Sequence, residues 1–270
     1  MTTIGFIGSG NMAEAIIKGI IGANLFSPSD VTISDINAER LSCMQTKYGV
    51  TVAENNCKLV ENSDIIILSV KPQTMANALA DIKKTTGKKK LFISIAAGIT
   101  TSYLAKNLGD AAIVRVMPNT PALVGEGASA LYANKNAKSR LDEAKVIFDA
   151  IGKAVVVENE ELIDAVTAVS GSGPAYYFLL MEEMVKAAVK LGLEENVAKD
   201  LVLQTAKGSA ILAIEADKDN QSPAILRKKV TSPGGTTQAA LETFAAGGFG
   251  NLVEMALKSA CDRSKELSGS

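Results

Sequence analysis

The stretch "GFIGSGNMAEA", Gly5 to Ala15, sets a short apolar run ahead of a glycine turn and an amphipathic segment. Gly8, Gly10 and Ala13 fall in a G-x-G-x-x-A spacing. That spacing carries meaning only between a strand and a helix. Here Thr3–Ile7 reads as a buried strand and Met12–Ile21 as the helix after it. Gly8 permits the tight turn, Gly10 lets a pyrophosphate approach the backbone, and Ala13 lets the helix pack closely on the strand. The helix start offers free N–H groups and the positive end of a dipole to an anion. The stretch therefore predicts a dinucleotide site; the alternative is a glycine turn of purely structural purpose.

Outward from this turn, strand and helix patterns alternate. Val31–Ser34 is a second strand, followed by a helix over Ala38–Lys47. Asp64–Val70 is apolar on both faces, as strands inside parallel sheets are. Leu91–Ile95 and Ala112–Val116 follow with helical segments between, and Gly127–Tyr132 and Lys153–Val157 read as later strands. The rhythm predicts an α/β fold with a Rossmann-type doubly wound sheet. From about Glu160 the strand patterns stop. Ala175–Leu191, Glu194–Glu215, Ala239–Phe244 and Asn251–Lys265 read as helices, the first apolar around most of its circumference. Such helices need a covering surface, either the first domain or a second copy that exchanges helices, and the second is favoured. The expected division is a dinucleotide-binding domain over residues 1–159 and an all-helical dimerisation and substrate-binding domain over 160–270.

Bulk composition excludes several classes. The chain is 47% hydrophobic and 21% charged with a formal net charge of −1, so no basic field invites nucleic acid or an anionic membrane. There is no histidine, and Cys43, Cys57 and Cys261 are scattered, which argues against a metal site or a disulfide framework. The basic run Lys83–Lys90 has no interleaved aromatics and reads as a solvated helix end and loop. No apolar run approaches the ~18 residues of a spanning helix, and no leader pattern precedes the first strand. A cytoplasmic location is expected.

Ligand-binding loops of a Rossmann sheet follow the C-terminal ends of its strands. After the second strand come Ser34, Asp35 and Asn37, with Asn55, Asn56 and Arg40 further on. Asp35 suits a ribose 2′-hydroxyl and opposes a 2′-phosphate, whereas Ser34, Asn37 and Asn56 suit a phosphate. Asp35 is also a candidate N-cap for the next helix. Val70-Lys71-Pro72, Ala96-Ala97-Gly98 and Val116–Pro121 end later strands. Lys71 is a lone cation on an apolar rim, either an orienting group or a surface lysine. Asn119, between Pro118 and Pro121, is placed to hydrogen-bond a nicotinamide ribose or a substrate. In Ser170–Pro174, a helix cap with Pro174 in the first turn is explanation enough. Thr231–Thr237 is different. Four hydroxyls and two glycines surround a proline and open a helix, a cradle for one small anion, carboxylate or phosphate. The alternative is an elaborate N-cap using one hydroxyl.

The blocks GFIGSGNMA (5–13), SVKP (69–72), AAG (96–98), RVMPNTPALVGEG (115–127), VSGSGPAY (169–176) and SPGGTT (232–237) occur in this order. Together they resemble pyrroline-5-carboxylate reductase, from Gly5 to about Leu267. The resemblance implies a Rossmann domain, a helical dimerisation domain, NADPH or NADH as reductant, and interlocked dimers that in some members form rings. It implies that Ser232, Gly234, Gly235, Thr236 and Thr237 hold a substrate carboxylate, with Thr237 near the ring nitrogen. It maps phosphate contacts onto Gly8, Ser9, Gly10, Asn11 and Met12, and adenosine contacts onto Ser34 and Asn56. It maps the nicotinamide pocket onto Val70, Lys71, Pro72, Ala97, Gly98 and Asn119. Thr237 and Lys71 are the catalytic candidates. A protonated cyclic imine is already electrophilic, so the absence of histidine is no obstacle to its reduction. Rival expectations are a hydroxy-acid dehydrogenase of the same plan and a non-catalytic, cofactor-sensing dimer.

Overall fold

The computed structural model describes residues 2–85 and 90–269. The basic run Lys83–Lys90 therefore falls partly outside the described residues; its last member, Lys90, donates to the Ser63 carbonyl at 2.7 Å.

The first part alternates as β1 (Ile4–Ile7), α1 (Asn11–Gly22), β2 (Val31–Ser34), α2 (Ala38–Tyr48), β3 (Thr51–Val52), α3 (Asn56–Glu61), β4 (Ile65–Leu68), α4 (Met75–Ile82), β5 (Leu91–Ser94), α5 (Thr101–Leu108) and β6 (Ala112–Met117). β7 (Gly127–Ala133), α6 (Leu141–Asp149) and β8 (Gly152–Val156) complete the sheet. The strands lie in the order β3-β2-β1-β4-β5-β6-β7-β8. From β3 to β6 all pairs are parallel, the doubly wound arrangement, and the order reverses between β1 and β4. β7 pairs antiparallel with β6, and β8 runs parallel to β7. The link 118–126 is too short for the crossover that a parallel neighbour needs.

The continuous apolar reading of β4 has a direct cause. Ile65 and Ile67 face the cluster of Phe6, Ile16, Ile17 and Phe148, under α1 and α6. Ile66 and Leu68 face the opposite cluster of Leu59, Leu79, Phe92 and Leu104, under α3, α4 and α5. Alternate side chains of one strand are buried on both sides, each contributing about 1.5–3 kcal/mol. Gly5 is the close-packing point: a Cβ there would come within 2.4 Å of Leu59 Cδ2.

After β8 the chain is helical: α7 (Leu162–Val166), α8 (Gly173–Lys190), α9 (Glu195–Asp217), α10 (Pro223–Lys229), α11 (Thr236–Ala246) and α12 (Phe249–Gly269). Between α7 and α8 the segment Thr167–Gly171 is a π turn, closed by Ser172 N–H on the Thr167 carbonyl at 2.8 Å. The stretch Ser170–Pro174 is thus part of a helical path, and Pro174 stands in the first turn of α8.

Two compact units are present. One runs to Pro174 and regains the chain from Ser259; the other is Ala175–Lys258. This division differs from one at 159/160. Ile163 of α7 is buried, and the buried Asp164 carboxylate accepts from Ser264 of α12 at 2.7 Å, so both join the sheet unit. In the helical unit large apolar side chains stand exposed, among them Tyr177, Leu179, Leu201, Leu212 and Leu252.

Candidate functional site

The glycine turn sits where β1 ends beside β2 and β4. Gly8 has φ +96°, and its N–H donates to the Ser34 carbonyl at 2.8 Å. A Cβ on Gly8 would lie 2.9 Å from the backbone of Ser69 and Val70. Ser69 Oγ donates to the Gly8 carbonyl at 2.6 Å, which ties the turn to the end of β4. Gly10 is the N-cap of α1, and no side chain caps this helix. Asn11 begins the helix and is exposed, Met12 is half-buried, and Ala13 is buried. Ser9 is fully buried and turned inward: its N–H and hydroxyl both donate to Asp35 Oδ2, at 2.6 and 3.0 Å.

Asp35 therefore stands against the glycine turn. The N-cap of α2 is Asn37, whose side chain accepts from Arg40 N–H, so the capping alternative for Asp35 does not hold. Asp35 Oδ1 accepts from Asn37 N–H at 3.0 Å. Burial pushes its carboxyl pKa up, but the donors from Ser9 and Asn37 outweigh this and leave it below the ordinary value. Ser34 Oγ donates to Asn56 Oδ1 at 2.8 Å, and Asn56 Nδ2 donates to Asp81 at 3.0 Å. Arg40 Nε donates to the Ser9 carbonyl at 2.6 Å, and its Nη2 pairs with Glu14 at 2.5 Å.

The other strand ends are more varied. Val70 follows Ser69 beside the turn, and Lys71 and Pro72 are exposed after it. Ala97 is exposed, and Gly98 has φ +74° with the Leu267 carbonyl 3.0 Å from where a Cβ would stand, a structural demand for glycine. Asn119 is buried and doubly engaged: Oδ1 accepts from Ala128 N–H at 2.8 Å and Nδ2 donates to the Ser170 carbonyl at 3.0 Å. It thereby pins the loop after β6 to the π turn, where Gly171 lets Met117 approach. π turns recur at functional sites.

The hydroxyl-rich turn belongs to the unit Ala175–Lys258. Gly235 N–H donates to the Ser232 carbonyl at 3.0 Å, and Gly234, with φ +69°, follows Pro233 as in a type II turn. Gly234 N–H donates to Gln238 Oε1 at 2.7 Å. The N–H groups of both glycines are thus taken, that of Gly235 by turn closure and that of Gly234 by the Gln238 side chain. Thr231 Oγ1 donates to the Arg227 carbonyl at 2.6 Å. No side chain caps Gly235 at the start of α11, so the one-hydroxyl cap is not what this turn builds. Thr236 and Thr237 occupy the first turn, whose N–H groups have no partner inside the helix.

Three residues hold the site without having been singled out. Glu14 and Ser69 act through partners distant in sequence and leave no local signal. Gln238 sits three residues after the N-cap Gly235 but accepts from Gly234, the residue before the cap, a bond that no capping-box pattern announces.

A family model described as pyrroline-5-carboxylate reductase dimerisation matches residues 160–267, and one described as NADP oxidoreductase coenzyme F420-dependent matches residues 3–98. The pyrroline-5-carboxylate reductase of Pseudomonas aeruginosa is 44% identical over 98% of this chain and 96% of its own length. The chain belongs to the pyrroline-5-carboxylate reductase family. The reductase of Arabidopsis thaliana is 38% identical over 99% of this chain and 96% of its own. A solved pyrroline-5-carboxylate reductase from Coxiella burnetii superposes with a TM-score of 0.93 at 39% identity, covering 99% of this chain and 98% of that one. The Plasmodium falciparum enzyme, solved with NADP bound, gives 0.85 at 33%, covering 99% and 98%.

The residues of this pyrroline-5-carboxylate reductase chain fit a dinucleotide. A Cβ on Gly10 would meet no protein atom within 4 Å, so the backbone there is open to close approach. The uncapped start of α1 faces the same point. No described helix is long and apolar enough to cross a membrane.

Proposed function

We propose that the chain reduces 1-pyrroline-5-carboxylate to L-proline, the closing step of proline biosynthesis, with NADPH or NADH as reductant. The observation that carries this is the uncapped, hydroxyl-rich turn 231–237 in a chain that matches reductases of that name over 98% of its length. Gly8, Gly10, Asn11 and Met12 would hold the pyrophosphate, with Ser9 behind them. Ser34, Asp35 and Asn56 would face the adenosine ribose. Val70, Lys71, Pro72, Ala97 and Gly98 would line the nicotinamide pocket. Asn119 would shape that pocket through the π turn, since both ends of its amide are engaged.

When bound, the reduced nicotinamide supplies the hydride that reaches the C=N carbon. The chain supplies position. The substrate carboxylate would be received by the N–H groups of Thr236 and Thr237 and by the Ser232 hydroxyl, with Gly234 and Gly235 keeping side chains out of the turn. Thr237 Oγ1 would orient the ring nitrogen, which enters protonated and becomes the secondary amine. A hydroxyl is too weak an acid at neutral pH for more than orientation and proton relay through water. Lys71 would orient the reductant.

The working assembly would be a homodimer that covers the apolar helices, with rings of dimers as a larger form, in the cytoplasm. The test follows the reduced-nicotinamide absorbance of purified protein mixed with 1-pyrroline-5-carboxylate. Wild type should oxidise the reductant. Thr237→Ala should lower kcat by about tenfold to a hundredfold with cofactor affinity unchanged. No oxidation by protein that binds the nucleotide would overturn the reaction, and an unaltered Thr237→Ala would overturn the assigned role.

A further inference from the structure

We propose that this chain prefers NADH to NADPH, that Asp35 sets the preference, and that Glu14 reinforces it by holding away the two cations that would meet a 2′-phosphate. The proposal rests on the dinucleotide reading above and narrows it.

The parallel pairing of Ile7 with Ser34 puts the end of β2 directly beside the glycine turn. Asp35 is the next residue. Its carboxylate is held there by three donors, Ser9 N–H, Ser9 Oγ and Asn37 N–H. Oδ1 takes only one of them and can accept another. A ribose hydroxyl brings a proton to that oxygen. A 2′-phosphate brings none and sets a second anion against an acceptor-only group. The donors around Asp35 keep it ionised at neutral pH.

A phosphate could still be admitted if cations or neutral donors compensated, and the surrounding groups are engaged elsewhere. Arg40 lies along the Ser9 carbonyl and pairs with Glu14. Lys47 pairs with the other oxygen of Glu14 at 2.8 Å, and Tyr48 donates to that same oxygen. Glu14 thus collects both cations on the side of α2 that packs on α1. The Ser34 hydroxyl points to Asn56, and the Asn56 amide points to Asp81, a further carboxylate. Lys58, on α3, is paired with Glu61 at 2.8 Å. Arg40, Lys47, Lys58, Ser34 and Asn56 are thus each directed to a carboxylate or to a neighbouring carbonyl. Glu14 is a positioning residue here, acting through Arg40 and Lys47.

The experiment is equilibrium titration of the purified full chain with ADP-ribose and with 2′-phospho-ADP-ribose, fragments that cannot be turned over. Wild type should bind ADP-ribose at least about tenfold tighter. Asp35→Asn, which keeps the shape and removes the charge, should bring the ratio towards one. Glu14→Gln should tighten the phosphorylated fragment and leave ADP-ribose unchanged, a split that a merely structural role would not produce. Asp35→Ser gives a second probe if the amide disturbs the turn. Equal or tighter binding of the phosphorylated fragment by wild type, or a ratio indifferent to Asp35→Asn, overturns the proposal. Failure of both fragments to bind overturns it together with the dinucleotide reading. Selective binding by a protein inactive on 1-pyrroline-5-carboxylate upholds it and overturns only the proposed reaction.

Discussion

Gly8 and Gly10 show how two glycines of one motif answer to different demands. At Gly8 the conformation is left-handed and the nearest atoms are the backbone of Ser69 and Val70, which cannot move aside. Gly8→Ala should cost about 1–3 kcal/mol of stability and weaken nucleotide binding with it. At Gly10 φ is −66° and no protein atom lies near the added methyl. Gly10→Ala should therefore unfold at nearly the wild-type urea concentration and still bind the nucleotide poorly. Urea midpoints and nucleotide titrations of both variants check the contrast; equal loss of stability would refute it. Both glycines were legible from spacing alone. The role of Asn119 was not, because its partners, Ala128 and Ser170, are 9 and 51 residues away.

At the scale of elements, α1 and α2 are joined by the cluster on Glu14. Lys47 is the largest influence holding the Glu14 pKa down, burial opposes it, and Arg40 and Tyr48 add to the lowering, leaving it at about 2 against an ordinary 4.5. A depressed carboxyl stabilises the fold above its unfolded pKa and loses that contribution as pH falls through the folded one. Wild type should thus lose stability relative to Glu14→Gln as pH drops from about 4.5 to about 2. Denaturation midpoints across that range test this, and a difference independent of pH would contradict it. The alternation of strands and helices was readable because the central strands are continuous apolar runs buried on both faces while the helices between them bury one periodic face. β3 was not, since two residues carry no periodicity and exist as a strand only through pairing with β2. α10 was likewise missed, a short helix opened by Pro223 and ending in Arg227, Lys228 and Lys229.

For the whole molecule, the exposed apolar side chains of the helical unit are the dominant fact. Leu179 is 58% exposed on α8 and Leu212 is 56% exposed on α9. Leaving the exposed half of such side chains in water forgoes about 1–1.5 kcal/mol each, so an assembly that covers them is favoured. Leu179→Asp should weaken the proposed dimer by at least about tenfold, measured by sedimentation of the variant against wild type over a range of concentrations. An unchanged dimer would show that α8 lies outside the contact.

The sequence by itself determined the doubly wound sheet, the glycine turn and the apolar excess of the helices. Each is written locally along the chain: continuous apolar runs for strands buried on both faces, a 3.6 period or an apolar surplus for the helices, and a fixed motif for the turn. Tertiary structure alone decided who meets whom. The reversal of β7 against β6, the Ser9–Asp35 clasp across β1 and β2, and the collection of Arg40 and Lys47 by Glu14 depend on sheet order and register. The same holds for the return of α12 to Asp164, 100 residues earlier. Such contacts join residues whose separation in sequence carries no period, so only the packed chain could reveal them.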